Sequence, residues 1–184
     1  MAAIRFYEKR NPYYEFSNFY EKAPFELDGH VWPTVEHYFQ SAKFPHVPEY
    51  QTYIRQCSTP NKAFQLGRQK RGSGYQQKWQ IHTSQCPEYI NDVIARFSNY
   101  TPREDWEIVK ESILEKALVA KFTQHSKLRT LLLETGDIDI IEDSPRDAYW
   151  GIGRDGTGQN RLGKLLVNVR TKLNASATSP PSFL

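Results

Sequence analysis

The spacing of hydrophobic residues predicts a long helix in the second half of the chain. Between residues 102 and 124, apolar side chains recur every three or four positions, as at Trp106, Val109 and Ile113. An α-helix completes one turn in 3.6 residues, so this spacing places those side chains on one face. A helix over 102–124 is therefore the strongest prediction from the pattern.

The same spacing, combined with start and stop signals, predicts shorter helices. Pro33 and Thr34 are typical of a helix start, the apolar positions continue from Val35, and Pro45 ends the pattern. Further helices are predicted over 49–57, 60–70, 87–98 and 126–133, and a last helix carries Leu162, Leu165, Leu166 and Val169 on its buried face.

Strand-like alternation is confined to short stretches. It predicts strands over 4–7 and 138–142, and a hairpin in which Asp28-Gly29 turns the chain into His30–Trp32. Few strands among many helices, without regular strand-helix alternation, predict a predominantly helical α+β domain. We expect this domain to span residues 1–173, with 174–184 as a flexible tail rich in serine, proline and small residues.

Length and charge narrow the classes of protein. The 184 residues carry 24 Lys and Arg against 21 Asp and Glu, which permits contact with phosphate without demanding strong nonspecific binding to nucleic acid. Cys57 and Cys86 are too few for a disulfide framework, and the chain shows neither a secretory signal nor a membrane-spanning run. We therefore expect a cytoplasmic or nuclear protein without a membrane partner, and the sequence leaves its oligomeric state open.

One stretch combines basic and aromatic residues. Its members are Arg68, Lys70, Arg71, Tyr75, Lys78 and Trp79. Interleaved cations and rings are typical of a surface that binds phosphates and stacks on bases, and equally of a solvated helix end followed by a loop.

Three polar residues share one face of the helix predicted after Thr34. Glu36, Gln40 and Lys43 follow one another at spacings of four and three, so their side chains point away from Val35. This face is a candidate pocket lining. The alternative is that Glu36 complements the positive end of the helix dipole.

Aromatic and polar residues alternate between Tyr14 and Tyr20. Ser17 and Asn18 carry groups that suit the polar edge of a base or ribose while neighbouring rings stack on it, although a core-facing aromatic turn fits the same pattern.

Lys121 lies on the apolar stripe of the long helix, where burial makes an amine more nucleophilic unless the side chain extends to solvent.

An acid, an indole and several glycines crowd into the segment that follows Ser144. Asp147 precedes Trp150 by three residues, and Gly151 and Gly153 follow at once. Such a segment suits a flat, phosphate-bearing ligand, and the helix that starts near Asn160 presents backbone N–H donors to an anion. The alternative for Asp147 is an exposed salt bridge with a neighbouring arginine. The scattered histidines argue against a metal site.

Several short motifs stand in a fixed order along the chain. They are Phe16-Ser-Asn-Phe19, Trp32-Pro-Thr-Val-Glu-His-Tyr-Phe-Gln40, Leu66-Gly-Arg68, Ala120-Lys-Phe122 and Trp150-Gly-Ile-Gly153. Together they resemble the NADAR superfamily, whose members are also called YbiA-like, from about residue 6 to residue 170. The resemblance implies a YbiA-like fold. Many relatives have a lysine where this chain has Phe64.

The resemblance also implies an activity, that of an N-glycosidase which needs neither a metal nor a redox cofactor. Two substrate types are associated with the family: early aminouracil intermediates of riboflavin synthesis, and ADP-ribose attached to guanine. In both, C1 of a ribose is bonded to an amine nitrogen. Cleavage of such a bond needs a carboxylate near the sugar and a proton for the departing amine.

By the same resemblance, Glu36, Asp147, Lys43 and Lys121 are the catalytic candidates, with either lysine able to attack an opened ribose as an alternative to direct attack by water. The ligand-binding candidates from the patterns and the resemblance together are Phe16, Ser17, Asn18, Phe19, Trp32, Gln40, Trp150, Gly151, Gly153 and Asn160.

Three functions follow from these residues. The first is a hydrolase that removes ADP-ribose from modified guanine in DNA or a related nucleic acid. The second is an N-glycosidase of aminouracil intermediates. The third is a noncatalytic module that binds ADP-ribose.

Overall fold

The computed structural model describes residues 3–68, 96 and 100–178, of which 176–178 are described by their backbone alone. The helices in these ranges are α1 (Val35–Ser41), α2 (Pro48–Arg55), α3 (Pro60–Gly67), α4 (Trp106–Gln124), α5 (Ser126–Leu133) and α6 (Arg161–Thr178). The strands are β1 (Ile4–Phe6), β2 (Phe25–Leu27), β3 (His30–Trp32) and β4 (Ile140–Glu142). The prediction of a predominantly helical α+β fold with a few short strands is confirmed.

Contacts along the chain define two compact units. The first unit comprises Met1–Val35 and Glu111–Leu184, and the second comprises Glu36–Lys110. The first unit therefore contains all four described strands with α5, α6 and most of α4, and the second contains α2, α3 and nearly all of α1.

The hairpin of the first unit has the predicted turn. Asp28 and Gly29 both have positive φ, 52° and 74°, which is the backbone of a tight type I′ turn. In the resulting register Phe25 lies opposite Trp32. Trp32 is buried and donates its indole N–H to the carbonyl oxygen of Leu27 at 2.9 Å. This candidate ligand-binding residue thus uses its polar group inside the hairpin.

The second sheet joins distant parts of the sequence. β1 runs parallel to β4, with Ile4 opposite Ile140, and both side chains are buried. α6 packs against β4 through Gly163, whose missing side chain allows the close approach: a Cβ there would overlap the carbonyl oxygen of Ile140. Arg170, buried on the same helix, donates to the side-chain oxygen of Thr135 at 2.7 Å.

A separate apolar core holds the second unit together. Its buried members are Phe44, Val47, Tyr50, Ile54, Cys57, Ala63 and Leu66. The hydroxyl of Tyr50 donates to the carbonyl oxygen of Leu66 at 2.8 Å, which satisfies its polar group inside the core. The imidazole of His37 lies 3.0 Å from the carbonyl oxygen of Cys57, so this histidine is a hydrogen-bonded structural residue.

Several element boundaries differ from the sequence predictions. α4 begins at Trp106 rather than at 102, because the preceding Arg103 and Asp105 form an ion pair outside the helix and the backbone N–H of Arg103 bonds to Lys43. β4 begins at Ile140 rather than at 138, because the N–H of Ile138 is used in a turn with Thr135.

The last helix is longer than expected. α6 continues to Thr178, so residues 174–178 are helical rather than part of a tail. Ala175 and Ala177 favour the helix, and the sequence has no proline before Pro180. The helix predicted over 87–98 lies outside the described residues apart from Arg96. The same holds for every member of the basic and aromatic stretch except Arg68. No helix in the described part of the chain is long and apolar enough to cross a membrane.

Candidate active site

Glu36 and Gln40 form a buried pair on α1. Their residues are 4% and 3% exposed, and the side-chain Nε2 of Gln40 donates to Oε1 of Glu36 at 2.6 Å. This contact confirms that Glu36 and Gln40 share one face of the helix, whereas Lys43, predicted on the same face, lies beyond the end of α1 at Ser41. A buried carboxylate is costly unless hydrogen bonds replace the lost water, and the amide supplies one. Such a carboxylate sits in a low-dielectric site where its charge acts strongly on a nearby ligand.

Lys43 follows α1 and is half-buried. Its Nζ donates to the carbonyl oxygen of Gly67 at 3.1 Å and lies 5.7 Å and 5.3 Å from the ring centres of Phe39 and Trp106. Both distances are in the range of cation–π attraction. The carbonyl oxygen of Gly67 and the two aromatic rings therefore hold the amine in place.

Gly67, the last residue of α3, links Gln40 to Lys43. A Cβ at this position would overlap Oε1 of Gln40 and lie 2.7 Å from its Cδ, so only glycine fits beside the Gln40 amide. Within the described residues, Oε1 of Gln40 has no hydrogen-bond partner. The Glu36 cluster is thus defined by Glu36, Phe39, Gln40, Lys43, Gly67 and Trp106, all in the second unit.

Gly67 and Trp106 were not among the candidate site residues chosen from the sequence. The motif Leu66-Gly67-Arg68 was a signal for Gly67, because a glycine at a helix end that is not in a turn indicates a close approach. Trp106 gave no such signal, since its position in the apolar repeat of α4 fits a core residue equally well.

Asp147 organises the glycine-rich segment of the first unit. Its Oδ1 accepts the backbone N–H groups of Tyr149 at 2.9 Å and Trp150 at 2.8 Å. The side chain therefore closes a local turn and fixes the backbone that carries the indole. Among the described residues, Asp147 forms no ion pair and its Oδ2 accepts no hydrogen bond, so the salt-bridge alternative does not hold there.

The loop from Asp147 to Asn160 is packed backbone against backbone. A Cβ on Gly151 would lie 2.7 Å from the carbonyl oxygen of Glu142. Gly153 has a φ of 67°, a left-handed conformation that glycine adopts without strain. The two glycines predicted to bind ligand are therefore required by the fold of the loop itself. Trp150 is half-buried, and its ring lies nearly perpendicular to that of Tyr149 with 4.9 Å between the ring centroids.

Three backbone donors at the start of α6 are already engaged by the preceding loop. The backbone N–H groups of Asn160, Arg161 and Leu162 donate to the carbonyl oxygens of Gly151, Tyr149 and Trp150, each at 3.0 Å. The prediction that this helix start binds an anion through these donors is therefore wrong, because the loop folds back and uses them.

Asn160 acts on β4. Its Oδ1 accepts the N–H of Glu142 at 2.9 Å, and its Nδ2 donates to the carbonyl oxygen of Ile140 at 2.8 Å. Both ends of its amide are engaged, which identifies Asn160 as a residue that positions the loop beside the strand.

The aromatic turn near the amino terminus is split between core and surface. Phe16 is completely buried and packs edge-on at 5.9 Å against both Phe6 and Phe122, so the core interpretation holds for this ring and stacking on a ligand does not. Ser17 accepts the N–H of Phe19, which is half-buried, at 3.1 Å. The side-chain Oδ1 of Asn18 is buried without a hydrogen-bond partner in the described part of the chain.

Lys121 is buried rather than extended to solvent. Only 1% of the residue is exposed, and Nζ donates to the carbonyl oxygens of Glu15 at 2.6 Å and Ser17 at 3.0 Å. Burial lowers the pKa of this amine to about 7, against an opposing effect of Glu15. The lysine therefore fastens the aromatic turn to α4, and its amine is committed to two backbone acceptors.

The low pKa of Lys121 gives stability a defined pH dependence. Between pH 7 and pH 9 the unfolded chain holds a proton that folded Lys121 has partly released, so the free energy of unfolding rises with pH by at most about 1.4 kcal/mol per unit. We expect urea unfolding of Lys121→Met to lack this slope. The window ends at pH 9 because burial raises the pKa of Cys57 to about 11, which opposes the trend above that pH.

Exposed Lys116→Met serves as the control, since Lys116 pairs with Asp28 at the surface of the same unit. An unchanged slope in Lys121→Met would contradict the assignment of the proton to Lys121.

The described residues contain no group of three or more His, Cys, Asp or Glu side chains suited to hold a metal ion.

Comparison with known proteins identifies the relatives of this chain. Residues 5–174 match the NADAR domain family. The N-glycosidase YbiA of Escherichia coli is 39% identical over 170 residues, covering 92% of this chain and 88% of the relative. An N-glycosidase of Nostoc punctiforme is 34% identical over 172 residues, with 92% of each chain covered.

A riboflavin biosynthesis protein of Vibrio vulnificus is 33% identical over 174 residues, covering 95% of this chain but 39% of that longer protein. The NMR structure of the E. coli protein YbiA superposes with a TM-score of 0.74 at 38% identity, over 96% of this chain and 88% of that one. These relatives support a glycosidase-type hydrolase activity. The chain therefore belongs to the NADAR domain family.

Proposed function

We propose that this chain is an N-glycosidase that hydrolyses the bond between C1 of a ribose and an amine nitrogen, with Glu36 as the catalytic carboxylate. The observation that carries the proposal is the buried Glu36–Gln40 pair, in a cluster that also holds the Lys43 amine against two aromatic rings. A carboxylate held in this way suits a reaction in which positive charge develops on a sugar.

The chemistry requires three events at one bond. The C1–N bond breaks and leaves oxocarbenium character on the ribose, which a buried carboxylate stabilises. The departing nitrogen takes up a proton, and the oxygen of a water molecule bonds to C1 after losing one. Glu36 supplies the negative charge, and Gln40 keeps its carboxylate oriented.

Lys43 is the lysine that we assign to the ligand. It is half-buried, whereas the Lys121 amine is almost fully buried and bound by two carbonyl oxygens. An alternative route in which an amine attacks the opened ribose and forms an imine is therefore proposed for Lys43 alone of these two.

In the glycine-rich loop we assign Trp150 to stacking on a flat base and Oδ2 of Asp147 to a ligand hydroxyl. The support for Asp147 is that its other oxygen is already bound by two backbone N–H groups, so the side chain has a fixed direction. The support for Trp150 is its partial exposure on a loop that is held by many backbone hydrogen bonds.

Two substrate classes are proposed in order. Aminouracil ribosides of riboflavin synthesis come first, because relatives of this chain include proteins named for riboflavin biosynthesis. ADP-ribose on guanine comes second. The net charge of +3 and the basic and aromatic stretch that begins at Arg68 favour ADP-ribose on guanine. The occupied donors at the start of α6, in contrast, remove one site predicted to bind the pyrophosphate of ADP-ribose.

The test is incubation of the purified protein with an aminouracil ribotide and, separately, with an oligonucleotide that carries ADP-ribosylated guanine. Mass spectrometry measures the released sugar. We expect ribose 5-phosphate from the ribotide. Release of ADP-ribose only from the oligonucleotide would reverse the order of the substrates, and binding without release from either would favour a noncatalytic module. A borohydride quench detects an imine on Lys43, which direct attack by water does not form.

A further inference from the structure

Glu111 on α4 joins the two ends of the glycine-rich loop. Its Oε1 accepts the phenolic O–H of Tyr149 at 2.5 Å and Nε of Arg161 at 2.8 Å. Its Oε2 accepts Nη2 of Arg161 as well, which makes the ion pair bidentate. Tyr149 is next to Trp150 at the start of the loop, and Arg161 follows its last residue. One carboxylate therefore binds both ends.

The backbone repeats this connection. The N–H of Arg161 donates to the carbonyl oxygen of Tyr149, and the N–H of Leu162 donates to that of Trp150, both at 3.0 Å. The ends of the loop are thus tied together before any side chain acts. What the backbone leaves undetermined is the direction of the Tyr149 ring.

That direction sets the surroundings of the indole. The Tyr149 and Trp150 rings meet at 4.9 Å with an angle of 88° between their planes, so one ring presents its edge to the face of the other. The hydrogen bond to Glu111 fixes the far end of the Tyr149 ring. With its side chain 27% exposed and paired with Arg161, Glu111 keeps the charge that makes this bond strong.

We propose that Glu111 is a positioning residue which, through the ring of Tyr149, holds the Trp150 indole in the orientation that stacks on the flat base of the ligand. This inference rests on the proposed function of Trp150. It adds to the determinants of ligand affinity a residue of α4 that acts through the ring of Tyr149.

The experiment compares Tyr149→Phe, which removes only the hydroxyl, with Glu111→Gln, which removes the charge. We expect each to raise KM by about tenfold with kcat within about twofold, because stacking affects binding more than bond cleavage. The double variant should raise KM no further than Tyr149→Phe alone, since without the hydroxyl the charge at position 111 no longer acts on the Tyr149 ring. Glu115→Gln, one turn further along α4, is the matched control and should leave KM unchanged.

A second readout does not depend on turnover. The fluorescence of Trp150, obtained by subtracting the spectrum of Trp150→Phe, should shift to longer wavelength in Tyr149→Phe and Glu111→Gln as the indole gains solvent. Unchanged KM and unchanged emission in both folded variants would overturn the positioning role. If the unaltered protein cleaves neither substrate, the proposed function fails, and the emission alone then decides whether Glu111 orients Trp150.

Discussion

Replacement of Glu36 by glutamine is expected to lower kcat for the riboside by about a hundredfold or more while the ligand still binds. The amide has nearly the shape of the carboxylate, and its oxygen still accepts the hydrogen bond from Gln40. The fold is therefore kept, but the negative charge that stabilises the oxocarbenium ion is lost. Steady-state turnover with ligand affinity measured by calorimetry separates the two effects.

Glu104→Gln is the matched control for this measurement, because Glu104 belongs to the same unit and is exposed. It should leave kcat unchanged. A kcat for Glu36→Gln within about fivefold of the unaltered protein would remove Glu36 from the catalytic step and leave the buried pair as a structural feature.

The second large effect concerns stability. Gly163→Ala is expected to lower the free energy of unfolding by about 3 kcal/mol or more, although alanine normally favours a helix. The new Cβ would overlap the carbonyl oxygen of Ile140 and lie 2.5 Å from Nδ2 of Asn160. The carbonyl oxygen of Ile140 belongs to the backbone of a paired strand, so the clash is relieved only by moving α6 away from β4.

Thermal unfolding measures this effect, and a decrease in the midpoint of about 10 °C corresponds to it in a protein of this size. Gly136→Ala is the control: Gly136 has a φ of 54°, but apart from its chain neighbours no heavy atom of the described residues lies within 4 Å of the position that a Cβ would take, so only the backbone strain of about 1 kcal/mol remains. Equal midpoints for the two variants would show that α6 adjusts without cost.

Local signals were sufficient for some of these features. The Asp28-Gly29 turn was predictable because both residues tolerate positive φ and the two strands flank the turn directly. The Glu36–Gln40 contact was predictable because residues four apart in a helix are neighbours. The family motifs added the activity, which neither spacing nor composition determines.

Other features depend on contacts between distant residues and left no local signal. Lys121 binds carbonyl groups more than 100 residues away in sequence, at Glu15 and Ser17, so the pattern alone left both burial and extension to solvent open. The sequence at the start of α6 is typical of an anion-binding helix start. Only the path of the preceding loop shows that its backbone N–H groups already donate to carbonyl oxygens of Tyr149 and its neighbours.

The contact between Gly67 and Gln40 limits how the Glu36 cluster can be redesigned. Since the volume beside the glycine is filled by the amide of Gln40, any side chain at position 67 requires a shorter residue at position 40 first. Shortening position 40 alone removes the donor that orients Glu36. Enlarging the substrate range from this side of α1 therefore calls for paired libraries at positions 40 and 67, with a new donor to Glu36 built in elsewhere.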